Sequence, residues 1–157
     1  MTDKKDPTWP KVEAAMLASA EAEAHRLRSE ARAKRRREQW GDGGREGMTL
    51  LARSFPMLRS AAGVDPWDPA ALIRWACSPA ITSGGMHAVH FCLQVWNSTA
   101  DWPEAAAAVL REAGEPEPDV EVLARVFAPF NLVAAFGAWD DEHRAACLAW
   151  CEAPFWP

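Results

Sequence analysis

Residues 83–97, SGGMHAVHFCLQVWN, decide the fold. Met86, Val89, Leu93 and Trp96 recur three or four apart and define one apolar face of a helix. Ala88, Phe91, Cys92 and Val95 cover most of the remaining circumference. A helix that is apolar nearly all round belongs in the centre of a packed protein. Strict apolar–polar alternation, the mark of a half-buried strand, is missing here. One narrow polar stripe interrupts the apolar surface: His87, His90, Gln94 and Asn97, at i, i+3, i+7 and i+10. Two readings fit that stripe. It lines a pocket or an interface, or it is the solvent edge of a core helix whose polar groups are otherwise hydrogen-bonded.

Working outward, the same helical grammar recurs. Residues 48–59 read as a short helix broken at Pro56. Asp68 and Pro69 make a helix start for residues 70–77, with Ser78 and Pro79 as its stop. Ser83 is the expected cap of the central helix. Asp101-Trp102-Pro103-Glu104 has the form of a capping box opening a helix that ends before Gly114. Glu115-Pro116-Glu117-Pro118 reads as a stiff acidic linker. Residues 120–128 and 130–139 form two helical pieces split by Pro129, and Asp140 caps a last helix over 141–152. Phe155, Trp156 and Pro157 are expected to pack on the body. No hairpin turn separates strand-like runs. The expected fold is therefore all-α: a compact bundle of about six short helices with a long N-terminal helical arm. Trp75, Phe91, Leu93, Trp96, Leu123, Phe127, Phe136, Leu148 and Trp150 are its expected core.

The arm and body differ in charge. Residues 1–47 hold 11 Lys and Arg against 9 Asp and Glu, whereas residues 48–157 hold 6 Arg against 13 Asp and Glu, the whole chain summing to −5. Residues 11–39 lack Gly and Pro and are rich in Ala, Glu, Arg and Leu, all strong helix formers. Thr8 and Pro10 suit the start of this helix, which would be about 40 Å long. Its apolar stripe, Val12, Met16, Ala20, Ala24, Leu27 and Ala31, is thin and mostly alanine. The glycines of residues 41–47 read as a flexible hinge between an arm, 1–47, and an acidic, Trp-rich bundle, 48–157. Trp67-Asp68 and Trp139-Asp140, with Trp96-Asn97 as a variant, form a faint internal echo. Helix capping by Asp and Asn explains it without duplication.

No apolar run is long enough to span a membrane, and the lysines near the start are followed by no signal-peptide core. The expected setting is the cytoplasm, with the four cysteines as thiols.

Four features bear on chemistry. His87 and His90 share one face, while His143, Cys147 and Cys151 share another at i+4 steps; these ligand types suit zinc, although no CxxC knuckle is present. In alanine-rich surroundings such cysteines also serve as small apolar residues. Arg26, Arg28, Arg32, Lys34, Arg35, Arg36 and Arg37 form a basic run that wraps a helix and suits nucleic-acid phosphates, an anionic surface or an acidic partner. The run has no interleaved aromatics, and the body beside it is acidic. Nine Trp are more than a small core needs, which points either to a contact surface or to gap filling between alanine helices. Finally, GxSxG, phosphate-loop and HExxH patterns are missing, so no cofactor is implied. Ser83-Gly84-Gly85 at a helix start is a weak anion-binding pattern. The leading expectation is a non-enzymatic interaction or regulatory protein that binds a protein partner, or a second copy, through the arm and Trp-rich surface. The alternatives are a nucleic-acid accessory factor using residues 26–37, and a metal-binding or catalytic bundle centred on His87 and His90.

Overall fold

The computed structural model describes residues 9–157 except Ala80, with side chains from Val12 onward. The cap expected at Thr8 lies outside the described residues. Among the described residues the fold is all-helical: α1 (Trp9–Trp40), α2 (Gly44–Ser54), a 3-10 turn (Pro56–Leu58), α3 (Pro69–Ala76), α4 (Ser83–Trp96), α5 (Glu104–Glu112), α6 (Val120–Val126), α7 (Leu132–Ala138) and α8 (Asp141–Glu152). The chain divides between Arg35 and Arg36 into two units.

In the first unit, α1 is a continuous helix whose thin stripe stays exposed at Val12, Met16 and Leu27, as does Leu17 beside it. Arg26 is held within the helix by Glu23 at 2.7 Å and Glu30 at 2.6 Å.

The second unit is organised around α4. This helix packs on α2, the 3-10 turn, α3 and α7, as its apolar circumference requires. Ala88, Val89, Phe91, Cys92, Leu93 and Val95 are buried against Met48, Leu51, Phe55, Leu58, Leu72, Ile73 and their neighbours. Two helix starts read from the sequence are made as expected. Asp68 accepts hydrogen bonds from the backbone N–H of Ala70 and Ala71, and Asp140 accepts one from His143 at 2.9 Å. Gly63 makes the turn before α3 possible: its φ is +81°, and a Cβ there would lie 2.3 Å from the Asp68 carbonyl oxygen and 2.5 Å from the Leu72 nitrogen.

The structure departs from the sequence reading at four places. The segment read as a hinge is a tight corner. Gly41 and Gly43 take positive φ and turn the chain, and Gly44–Gly47 form the first turn of α2. Trp40 is buried there, donating through Nε1 to the Ala153 carbonyl at 2.9 Å and packing on Phe155. Second, the cap of α4 is Thr82, not Ser83; its Oγ1 accepts from the Gly85 N–H. Third, no capping box forms at Asp101. Pro103 is the N-cap of α5 and no side chain caps it, so Glu104 is the first helical residue and not the third, the place from which a capping-box glutamate reaches back. Fourth, Leu148 is 50% exposed, because α8 turns His143, Ala146 and Cys147 inward instead. Of the other expected core residues, Phe91, Leu93, Leu123 and Phe127 are buried, while Trp75, Trp96, Phe136 and Trp150 are half-buried against the core.

Candidate functional site

A cavity of about 410 Å³ opens in the second unit between the C-terminal half of α4, the segment leading into α5, the α6–α7 connection, α8 and the segment that follows it. Each contributor has a local reason to be there. Phe127 is the C-cap of α6, where Pro129 prevents the helix from continuing, so Phe127 and Phe130 are presented from an irregular connection. Trp150 comes from the last turn of α8. Its Nε1 donates to the Phe155 carbonyl at 3.3 Å and so fixes the segment that carries Trp156.

The walls are aromatic. Phe91 meets Trp150 edge-on at 5.5 Å and 88°, and Trp150 meets Trp156 at 5.2 Å and 86°, so three rings form successive right-angled corners. Phe130 lies 6.2 Å from Phe91. On the other wall, His90 stacks on Phe127 at 5.5 Å and Trp102 lies 5.7 Å from Phe127. Trp156 is 61% exposed although it is a large apolar side chain, which marks the mouth of the cavity.

The polar groups of the cavity are few. His90 is buried, with its Nε2–H donating to the Val126 carbonyl. Burial is the main cause that drives its pKa down from 6.5 to about 4, with the nearby His87 adding to the effect, so the ring is neutral at pH 7. Gln94 and Ser98 add an amide and a hydroxyl, and among the described residues Asp101 is the one carboxylate in the lining, which includes no Lys or Arg. A smaller recess of about 180 Å³ adjoins His90 and is lined by His87, Met86, Arg125 and Pro129. The His87 Nδ1 is buried there without a hydrogen-bond partner, and burial lowers its pKa.

The polar stripe of α4 therefore divides. His90 and Gln94 line the cavity, His87 and His90 line the recess, and Asn97 lies outside both as the exposed C-cap of α4, accepting from the Thr99 hydroxyl at 3.1 Å. The zinc-type residues do not converge. Among the described residues no group of three or more His, Cys, Asp or Glu side chains is arranged to hold a metal ion. His143 is buried and donates from Nδ1 to the Asp140 carboxylate at 2.7 Å. Cys147 is buried near Cys92, and Cys151 is exposed. Burial raises the Cys92 thiol pKa and pushes that of Cys147 to about 12, far from thiolate chemistry. Gly84 and Gly85 are buried, and Thr82 already takes the Gly85 N–H, so the start of α4 offers no open anion cradle.

The basic run is exposed at Arg26, Arg28, Arg32, Lys34, Arg35, Arg36 and Arg37, and spans the division between the two units.

Asp101, Trp102, Phe127, Phe130, Trp150 and Trp156 were not legible as a set. They come from four segments and share no period. The only sequence signal was the excess of Trp and the two Phe flanking Pro129. No family model, curated protein or solved structure matches the chain.

Proposed function

We propose that this chain is a non-enzymatic, cytoplasmic binding protein that contacts a protein partner, or a second copy of itself, through α1 and the aromatic cavity of the helical body. The observation that carries this reading is the cavity, with six Trp and Phe side chains around about 410 Å³, one of them, Trp156, at its mouth. Sites of this volume, apolar with a few placed polar groups, are the usual form of a ligand or anchor pocket, and Trp is the side chain most enriched at contact hot spots. Exposed Met16, Leu17 and Leu27 on α1 supply a second apolar contact. Of the groups that acid–base or nucleophilic chemistry would use, two kinds are occupied, while the buried His87 Nδ1 has no partner. His90 is tied to Val126 and neutral, and the buried thiols are far from ionisation.

Sedimentation equilibrium of the full chain tests this reading beside two variants, Met16→Glu/Leu27→Glu and Trp156→Ala. Concentration-dependent association that both variants weaken is the expected result. A chain that is monomeric at every concentration, and whose aromatic cavity also takes up no ligand or peptide, contradicts it.

The second reading, nucleic-acid binding through residues 26–37, is favoured by the exposure of five arginines beyond Arg26. The pairing of Arg26 with Glu23 and Glu30 and the acidic balance of residues 48–157 weigh against it.

A further inference from the structure

We propose that the aromatic cavity is a site for a methylated ammonium ion: a compact, weakly hydrated organic cation bearing methyl groups. This deepens the reading of the cavity as a contact site and rests on it. Phe91, Trp150 and Trp156 pack edge-to-face on one another in turn, 5.5 Å and 5.2 Å apart, and all three line the cavity, so a ligand there meets aromatic rings of differing orientation. An aromatic face carries negative electrostatic potential and attracts a cation within about 6 Å of the ring centre, most strongly for Trp. Rings of differing orientation suit a rounded cation better than a flat one, which stacks on a single face.

The charge of the lining points the same way. Among the described residues Asp101 is its only carboxylate, and no Lys or Arg lines it. An anionic ligand would meet a carboxylate and no counter-charge, at a desolvation cost that nothing returns. His90 is neutral at pH 7 and does not oppose a cation. The nearest Arg in the adjoining recess, Arg125, lines that recess and not the cavity itself. A volume of about 410 Å³ exceeds what a bare tetramethyl head needs, so an attached chain fits as well, with the Gln94 amide and the Ser98 hydroxyl available to its polar atoms. Such a head occurs both in free small molecules and in methylated lysine side chains; the chemistry is shared, and the experiment separates the sources.

Titration of the full chain with choline and with its neutral isostere 3,3-dimethylbutan-1-ol, followed by tryptophan fluorescence and calorimetry, tests the proposal. A short peptide carrying trimethyl-lysine and the same peptide unmodified form the second arm. The expected result is binding of at least one methylated cation about tenfold tighter than its uncharged or unmodified counterpart. Asp101→Asn and Trp156→Ala, both at exposed positions and each checked for an intact fold by circular dichroism, should each weaken it severalfold. Choline binding alone assigns the site to a small molecule; binding of the methylated peptide alone assigns it to a side chain. Equal binding of choline and its neutral isostere overturns the cation proposal while leaving the cavity a contact site. Binding of neither cation, with self-association that still depends on Trp156, overturns it and spares the wider reading.

Discussion

His90 is the residue at which burial and charge conflict most. Its ring is surrounded by Phe127, the Val126 carbonyl, His87 on its own helix and Arg125 across the recess, none of which is an acid. Its folded pKa, about 4, lies below the ordinary 6.5. A depressed value means that the unfolded chain takes up a proton before the folded one does. The stabilisation is therefore full above about pH 6.5 and is lost as the pH falls toward 4. We expect unfolding free energy to drop by about 2–3 kcal/mol across that window from this residue. His90→Phe should remove this part of the pH slope while lowering stability at pH 7 by about 1–3 kcal/mol, since the Val126 carbonyl loses its donor. Urea titrations of both proteins at pH 7, 5.5 and 4.5 check this. Gly63 is the second residue with little latitude. Gly63→Ala places a methyl group against the backbone of α3 at a positive φ and should cost about 3 kcal/mol, read as a lowered urea midpoint with unchanged slope.

At the scale of elements, the helices stand on caps and breakers that the sequence displays openly. Asp68→Ala should cost about 1 kcal/mol in thermal or urea unfolding, because it leaves the N–H groups at a helix start without an acceptor, and Asp140→Ala removes the same kind of cap. Asp140→Ala should cost more, since His143 also donates its buried Nδ1–H to that carboxylate. These starts were legible because Asp-Pro and Asp-Asp before an apolar run act locally. The capping box at Asp101 and the hinge at residues 41–47 were misread for the opposite reason. Both depend on what the chain touches elsewhere. The glycines became a corner because Gly47 must admit Phe155, whose Cε2 would lie 2.9 Å from a Cβ at that position, beside buried Trp40. Leu148 was misplaced because the face of α8 that turns inward is set by its neighbours, and a short helix rich in alanine carries little amphipathic signal of its own. Similarly, the stripe on α4 was visible, but its division into a cavity part, a recess part and a cap was decided by α6 and the α6–α7 connection.

Across the molecule, the proposed contact rests on area more than on charge. Burying Val12, Met16 and Leu27 yields only a few kcal/mol at about 25 cal/mol per Å², so α1 alone makes a weak contact and the aromatic cavity must supply the rest. No helix among the described residues is long and apolar enough to cross a membrane, so a bilayer span is not how α1 satisfies its stripe. The basic run would behave otherwise. Five to seven cations on duplex DNA would make log K fall with log salt at a slope of about −0.9 per phosphate neutralised. The most direct test is therefore one titration series at two salt concentrations: self-association of the full chain, and its binding to bulk duplex DNA and RNA. The account predicts association that changes little with salt, is weakened by Trp156→Ala, and is accompanied by no nucleic-acid binding. A monomer that binds nucleic acid tightly and with a steep salt slope, and loses that binding when Arg32, Lys34, Arg35, Arg36 and Arg37 are replaced by Gln, would contradict it.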